Sequence, residues 1–152
     1  MLTIFPSSSE SYSKKILKKF QDKEKNLEIL VAKENDIILG HIVFCIDGYK
    51  IYILDICYIK EHLKNTKEVD ELVDSMMRSV LSFALNRRIF VIYSKNKSLF
   101  PLLNKFGFSQ NNGEMFINLS KILGKCKKCK ASKSVCHCCF GKNMVHYQIM
   151  AL

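Results

Sequence analysis

Two pairs of cysteines near the C-terminal end of the chain have a spacing that could bind a metal ion. Cys126 and Cys129 form the first C-x-x-C pair, and Cys136 and Cys139 form the second pair six residues further on. Thiolates in such pairs are ligands for tetrahedral Zn²⁺. Zinc ribbons and fingers usually separate their pairs by a dozen residues or more. Two interpretations therefore stay open, a metal site and an extension with free, reduced thiols.

A second group of residues capable of acid–base chemistry lies in the middle of the chain. His41 and Asp55 interrupt apolar, strand-like runs, and Glu61 and His62 follow the second run. A carboxylate within an apolar run must be paired or protonated, so Asp55 is a candidate proton acceptor. The simpler interpretation is that Asp55 faces the open side of a sheet or bonds neighbouring backbone. His41 is then an ordinary hydrogen-bonded strand residue, and His62 a solvated loop residue.

Length and composition indicate one globular domain followed by a basic tail. The 152 residues are 48% hydrophobic and 25% charged, which is ordinary for a soluble domain with its own core. Of the net charge of +10, seven units come from lysines within residues 121–152, which contain no acidic residue. Because composition changes near Gly124, we predict a domain over residues 1–123 and a basic, cysteine-rich tail over residues 124–152.

The same composition restricts the expected location and partners. No apolar run is long enough to cross a bilayer, and the first residues lack the features of an export signal. We therefore expect a cytoplasmic protein with reduced cysteines and no membrane partner. The tail's lysines suit a phosphate backbone, but the tail lacks the aromatic platform that base recognition needs. Nucleic acid is therefore not an expected partner.

The elements that must position these residues follow from hydrophobic periodicity. Three apolar runs, separated by Glu34-Asn35-Asp36 and Asp47-Gly48, predict an antiparallel meander. Asn65 with Glu68 forms a capping box that begins a long helix. The whole order predicts an α/β (α+β) fold with a mixed, mostly antiparallel central sheet and helices on both faces. Strands are predicted over residues 1–5, 27–33, 37–46, 49–59, 88–93 and 115–119, and helices over residues 8–23, 65–86 and 98–106.

The segment between the fifth strand and the last strand carries the most distinctive motif. Ser98 is predicted to cap a short helix, and Pro101 falls in its first turn, where a missing N–H costs little. Gly107 ends this helix in a left-handed conformation, and Phe108 turns back into the core. The motif thus reads as strand, Asn96, short helix, Gly-Phe.

This order of elements resembles the GNAT superfamily of acyl-CoA-dependent N-acyltransferases over roughly residues 1–120. The best local match consists of Asn96, Leu99, Leu102, Gly107 and Phe108. The resemblance implies an acetyltransferase that moves an acetyl group from acetyl-CoA to a primary amine on a small molecule or protein. It also implies a cofactor wedge between the fourth and fifth strands. A homodimer is a further expectation, because sheet edges in this family often pair.

The resemblance also implies which residues bind the cofactor. The fourth strand would pair with the pantetheine arm as an added strand would, and the next helix would hold the pyrophosphate at its N-terminus. The implied cofactor-binding residues are Cys57, Tyr58 and Ile59 on the strand, Lys64, Asn65, Thr66 and Lys67 at the helix, and Asn96 after the fifth strand.

The chain departs from the family pattern at two places. In the phosphate loop, Lys64 keeps a positive charge, but Lys67 and Val69 replace small residues and Glu68 adds a negative charge. Leu103 stands where many members have a tyrosine that protonates the leaving thiolate. Tyr58 and Tyr93 are the nearest substitutes by strand position. The sequence therefore assigns no catalytic residue.

Three functions remain open at this point. The first is a GNAT-type N-acetyltransferase of full, weakened or lost activity. The second is a non-catalytic module of the same fold that binds a ligand or a partner, with a tail that could bind metal. The third is a metal- or nucleic-acid-binding protein whose tail carries the function. The loss of the loop glycines favours the second, and the Asn96 to Phe108 motif favours the first.

Overall fold

A seven-stranded sheet runs through the computed structural model, which describes residues 1–123. The strands lie in the order β1-β2-β3-β4-β5-β7-β6, and every neighbouring pair is antiparallel except β4 and β5. The predicted mixed, mostly antiparallel sheet is confirmed. The strands are β1 (Leu2–Pro6), β2 (Leu27–Glu34), β3 (Ile37–Asp47), β4 (Lys50–Tyr58), β5 (Val91–Ser94), β6 (Ser109–Asn111) and β7 (Glu114–Asn118).

Helices cover both faces of this sheet, as predicted. α2 (Thr66–Asn86) lies over β1 to β4, and α3 (Phe100–Lys105) packs on the same side. α1 (Ser11–Leu17) lies on the opposite side over β2. A fourth short helix, α4 (Leu119–Leu123), follows the last strand. Single 3₁₀ turns precede α2 and α3, at Lys60–His62 and Lys97–Leu99.

The alternation of side chains along the strands separates two hydrophobic clusters. The larger cluster faces α2 and α3, and its strand residues include Leu30, Phe44 and Ile53. The smaller cluster faces α1, where Leu17 packs against Ile29, Val31 and Val43. Because successive strand residues point to opposite faces, neighbours in sequence belong to different clusters. The face under α1 is the one that matters for the site.

The start of α2 confirms the predicted capping, with one change. Asn65 Oδ1 accepts a hydrogen bond from the backbone N–H of Glu68 at 2.9 Å. Glu68 Oε2 accepts from the backbone N–H of Lys64 at 2.8 Å, and not from the N–H of Asn65 itself. Both bonds satisfy backbone donors that the helix leaves without partners. The carboxylate of Glu68 therefore lies at the N-terminus of α2.

The predicted bounds of two elements are wrong. The first helix runs from Ser11 to Leu17 and not over residues 8–23, because Ser8 and Ser9 form a turn, and Lys18 to Lys23 form turns whose side chains, except Phe20, are exposed. A helix this short needs an apolar face to pack, and Phe20 is the last residue that supplies one. The fifth strand begins at Val91 and not at residue 88. Arg88 has a φ of 58°, which no strand residue adopts.

The cap of the short helix and one strand also differ from the prediction. Asn96, and not Ser98, caps the turn that leads into α3, because Asn96 Oδ1 accepts from the N–H of Ser98 at 3.2 Å. Gly107 ends the helix with a φ of 84°, as predicted. β6 was not predicted because its three residues are polar and exposed. It forms because Asn112 and Gly113, both at positive φ, turn it back along β7.

Some predictions fall outside residues 1–123 and stay predictions. The four candidate metal ligands Cys126, Cys129, Cys136 and Cys139 belong to this group, and so does the domain boundary near Gly124. Among the helices of residues 1–123, none is both long enough and apolar enough to cross a membrane.

Gly40 offers a test of how closely β3 approaches β4. A Cβ atom at this position would lie 2.5 Å from the carbonyl oxygen of Cys57, so Gly40→Ala must push β4 away. We expect Gly40→Ala to lower the free energy of unfolding by about 1–3 kcal/mol, measured by urea titration. Amide chemical shifts of residues 56–58 should change as well.

Gly113→Ala is the control for this prediction. Gly113 has a φ of 78° and open space where a Cβ would point, so its replacement strains the turn without touching β4. We expect a loss of about 1–2 kcal/mol with unchanged shifts at residues 56–58. Unchanged shifts at those residues in Gly40→Ala would contradict the close approach.

Candidate functional site

β4 and β5 part after a short parallel ladder. Their paired residues are Lys50 with Val91, Ile51 with Ile92, and Tyr52 with Tyr93. β5 then ends at Ser94, whereas β4 continues to Tyr58. Within residues 1–123, the second half of β4 pairs with β3 alone. The second half of β4 is therefore left with an unpaired edge on the side of β5, where the resemblance implied a cofactor wedge. We call this region the wedge.

Two side chains hold β4 at the apex of the wedge. Ser94 Oγ donates to the carbonyl oxygen of Ile53 at 2.9 Å, and Asn96 Nδ2 donates to the carbonyl oxygen of Leu54 at 3.0 Å. The register of β3 with β4 shifts at this point, so that Leu54 is the extra residue of a β-bulge. Asn96, predicted as a cofactor-positioning residue, thus fixes the backbone where the wedge opens.

Beyond the bulge, the backbone of β4 presents alternate residues to the wedge. Ile59 donates its N–H to Leu39 O of β3 at 2.8 Å, so the polar groups of Ile59 and Cys57 point toward β3. The N–H and C=O of Ile56 and Tyr58 must then point the other way, into the wedge. Of the three strand residues that the resemblance implied, Tyr58 presents its backbone there. Ile56 does so too, although the sequence did not indicate it.

The N-terminus of α2 is exposed and carries mixed charge. The four predicted residues Lys64 to Lys67 all lie on the surface, and Val69 is half-buried and packs against the larger core cluster. The N–H groups of Lys64 and Glu68 are already bonded. Those of Thr66 and Lys67 have no acceptor within the helix. An anion here would find free donors and two lysines, but also the carboxylate of Glu68.

Four side chains that can exchange protons meet on the face under α1. Val43 opposes Asp55, and His41 opposes Cys57, so these side chains project from the same face of the sheet. Tyr12 of α1 brings its hydroxyl within 2.8 Å of His41 Nδ1. Asp55 Oδ2 lies 3.8 Å from His41 Nε2. His41 is only 3% exposed, whereas the side chain of Asp55 is 39% exposed.

This arrangement changes the acidity of two of its members. Burial raises the pKa of the Cys57 thiol, the negative charge of Asp55 raises it further, and Lys19 opposes the shift. Burial also raises the pKa of the Tyr12 hydroxyl, with a smaller contribution from Cys57. Both groups therefore keep their protons at neutral pH. Tyr12 is the residue that the sequence did not indicate, because it fell on the apolar stripe of α1.

The other candidate residues lie apart from this cluster. Glu61 and His62 are exposed, and His62 Nδ1 bonds the carbonyl oxygen of Ile38 at 2.9 Å. Tyr93 stacks on Tyr52, with ring centroids 5.3 Å apart. Leu103 is fully buried in the larger cluster, against which Tyr58 also packs. A buried leucine thus occupies the position where many GNAT proteins have a tyrosine that acts as a general acid.

The bond between Asn96 and Leu54 can be tested against a matched position. Asn118 Oδ1 accepts from Ser120 in the same local pattern as Asn96 Oδ1 accepts from Ser98. Of the two, only Asn96 also donates to another strand within residues 1–123. We expect Asn96→Ala to lower the free energy of unfolding by about 1 kcal/mol more than Asn118→Ala does, measured by urea titration. Equal losses would show that the bond across the wedge contributes nothing.

The proximity of Asp55 to Cys57 can be tested by alkylation. Asp55→Asn removes a negative charge that raises the pKa of Cys57, so more thiolate forms at a given pH. We expect faster iodoacetamide labelling of Cys57 in the variant, followed at pH 8 by peptide mass spectrometry. Buried Cys45, whose pKa is raised to about 11 by burial and then by Glu24, is the internal control and should not respond. An unchanged rate of Cys57 labelling would contradict the proximity of Asp55 to Cys57.

Comparisons with known proteins address the fold. No protein-family model matches the sequence, and no curated protein matches it significantly. A GNAT family acetyltransferase from Elizabethkingia anophelis with acetyl-CoA bound is 16% identical, with a TM-score of 0.54, covering 78% of this chain and 98% of that one. The ribosomal-protein-S18-alanine N-acetyltransferase of Escherichia coli is 12% identical, with a TM-score of 0.58, covering 78% and 94%.

An acetyltransferase from Bacillus subtilis in complex with CoA is 14% identical, with a TM-score of 0.52, covering 78% of this chain and 99% of that one. At identities this low, structural similarity indicates a shared fold but not a shared substrate. The fold match nevertheless includes nearly the whole length of each of these three structures. The chain therefore has the fold of the GNAT acetyltransferases, as its sequence predicted.

Proposed function

We propose that this protein binds acetyl-CoA in the wedge between β4 and β5 and transfers the acetyl group to a primary amine. The observation that carries the proposal is the free backbone edge of β4. Ile56 and Tyr58 direct their N–H and C=O groups away from β3 and into the wedge, and within residues 1–123 no strand lies on that side to bond these groups. An extended chain with two amides, such as pantetheine, can add to that edge as a strand would.

Solved structures of the same fold support this choice of cofactor. The Elizabethkingia anophelis protein contains acetyl-CoA, and the Bacillus subtilis protein contains CoA. In the present chain, Asn96 and Ser94 keep the apex of the wedge open by bonding the β4 carbonyls of Leu54 and Ile53. A thioester placed at the apex would lie beside Asp55, the residue that follows the bulge. A cytoplasmic location, where thiols stay reduced, belongs to this proposal.

The pyrophosphate would lie at the N-terminus of α2. The free N–H groups of Thr66 and Lys67 and the side chains of Lys64 and Lys67 supply donors and positive charge. Glu68 opposes binding, because its carboxylate already occupies the helix end and bonds the N–H of Lys64. The cofactor must therefore displace or tolerate a negative charge. We therefore expect a lower affinity for CoA than a glycine-rich phosphate-binding loop would give.

Departure of the CoA thiolate does not require a general acid from the protein. A thiolate whose conjugate acid has a pKa near 8 to 9 can leave without an acid, so the buried Leu103 slows the reaction without preventing it. The acceptor amine would approach from the face under α1, where Asp55 is exposed. The acceptor would be a primary amine on a small molecule or a protein.

One observation favours a second function, a module of this fold that binds a ligand or partner without catalysis. Glu68 fills the anion position at the end of α2 with a carboxylate of the chain itself. A protein that no longer bound a diphosphate would gain helix stability from this bond. The two functions therefore differ in whether CoA binds at all.

Glu68→Gln is the sharpest test of cofactor binding. Removing the charge at the helix end should tighten CoA binding by roughly two- to fivefold, measured by isothermal titration calorimetry on the full-length chain. Lys64→Glu should weaken it. Asp74→Asn is the control, since Asp74 lies further along α2 and pairs with Arg78 at 2.6 Å, not with a lysine of the proposed pyrophosphate site.

The outcomes separate the two functions. Binding that tightens in Glu68→Gln and not in Asp74→Asn supports the cofactor site at α2. Absence of binding to both wild type and Glu68→Gln at millimolar CoA would overturn the acetyltransferase proposal and leave the non-catalytic module. Release of CoA thiol from acetyl-CoA in the presence of an amine panel then measures the transfer itself.

A further inference from the structure

We propose that Tyr12 and His41 form a buried hydrogen-bonded pair that positions the carboxylate of Asp55 to take the proton from the acceptor amine. This inference rests on the proposed acetyl transfer and assigns its proton acceptor. The three residues come from α1, β3 and β4, and they meet on the face of the sheet from which an amine could reach the apex of the wedge.

The first step concerns the proton on the imidazole of His41. Tyr12 keeps its hydroxyl proton at neutral pH, because burial raises its pKa. The hydroxyl lies 2.8 Å from Nδ1, and the opposite ring nitrogen, Nε2, faces Asp55. A protonated hydroxyl can donate to Nδ1 or accept from it, so the other side of the ring decides. A carboxylate faces Nε2 and favours a proton on that nitrogen, and Tyr12 then donates to Nδ1. Asp55 and Tyr12 together thus favour one tautomer of His41.

The second step concerns the unpaired nitrogen. His41 Nε2 is buried and has no hydrogen-bond partner among residues 1–123. Its distance of 3.8 Å from Asp55 Oδ2 is too long for a hydrogen bond. Hydrogen bonds of acid–base groups are often long in a ligand-free site and shorten when the reactants bind. A small rotation of Asp55 toward Nε2 would satisfy a donor that is otherwise left unsatisfied.

The third step concerns access. His41 is too deeply buried for its Nε2 to contact the amine that accepts the acetyl group. It therefore acts through Asp55, as a positioning residue. Asp55 directly follows Leu54, whose carbonyl bonds Asn96 at the apex of the wedge. Its partly exposed carboxylate is therefore the member of the group that meets the amine beside the thioester.

The charged and titratable neighbours are consistent with this role. Cys57 on β4 keeps its proton, because burial and Asp55 raise its pKa. Lys19, after α1, is a positive charge that lowers the pKa of Cys57. Val31 of β2, opposite His41, is apolar. The carboxylate of Asp55 is thus the negative group that faces His41 from β4.

The step balances as follows. Asp55 accepts one proton from the ammonium group, and the freed nitrogen lone pair attacks the thioester carbonyl carbon. The new C–N bond forms as the C–S bond breaks, with the electron pair leaving on sulfur. A second proton of the nitrogen goes to the thiolate, which gives the acetyl amide and CoA thiol. Asp55 then releases its proton to solvent.

Kinetics of four variants test the assignment. Asp55→Asn should lower the transfer rate at pH 7 by about 100-fold, and the deficit should shrink as pH rises through the pKa of the amine, which then needs no base. Tyr12→Phe should lower the rate by about tenfold, since it removes one hydrogen bond. His41→Gln should lower the rate at least as much. His62→Gln changes an exposed histidine outside the cluster and should have no effect.

Nitrogen NMR of the histidine rings tests the geometry without activity. Wild type should show a single His41 tautomer with its proton on Nε2, and Tyr12→Phe, which keeps the ring and the packing, should show a mixture of tautomers. A proton on Nδ1 in wild type would overturn the proposal. A spectrum that does not change in Tyr12→Phe would overturn it as well.

The kinetic results separate this inference from the function on which it rests. If wild type binds acetyl-CoA and transfers the acetyl group, but Asp55→Asn has the same rate and pH profile, the proton acceptor is wrong and the function stands. If wild type binds no CoA and releases no thiol with any amine, the function itself fails. A pH-dependent deficit in Asp55→Asn, together with a loss in Tyr12→Phe and none in His62→Gln, supports the inference.

Discussion

Two side-chain hydrogen bonds hold β4 at the point where it leaves β5, and the site depends on them. Ser94 and Asn96 bond the carbonyls of Ile53 and Leu54, which would otherwise lack partners where the ladder stops. Without these bonds the strands would have to pair further or leave buried carbonyl groups unsatisfied. The bulge at Leu54 then turns the next residues so that alternate backbone groups face the wedge. One local irregularity thus sets both the opening and its free edge.

The same irregularity places the polar cluster. Because the bulge adds a residue, Asp55 projects from the face under α1 beside Val43, and Cys57 projects beside His41. α1 closes this face with Tyr12 and leaves Asp55 partly exposed. A buried imidazole and an accessible carboxylate are therefore consequences of strand register as much as of residue type. The bulge in β4 thus determines both the free edge at the wedge and the position of the polar cluster on the face under α1.

Local patterns in the sequence predicted much of this fold. Alternating apolar residues and the turns at Asn35 and Gly48 predicted the meander, and Asn65 with Glu68 predicted the start of α2. What could not be predicted depends on contacts distant in the chain. Tyr12 and His41 are 29 residues apart, and nothing local distinguishes Tyr12 from a core residue. β6 was predictable in part, because Asn112-Gly113 is a strong hairpin signal, but its polar residues lack the usual strand pattern.

The two outer strands of the sheet affect how this molecule behaves at high concentration. β6 is three residues long, polar and exposed, and β1 at the other margin ends in Pro6, which has no N–H to offer. A strand approaching either margin would gain few backbone bonds and, at β6, almost no apolar contact. Strand addition at these two margins is therefore disfavoured, and the edge left for an added strand within residues 1–123 is the second half of β4.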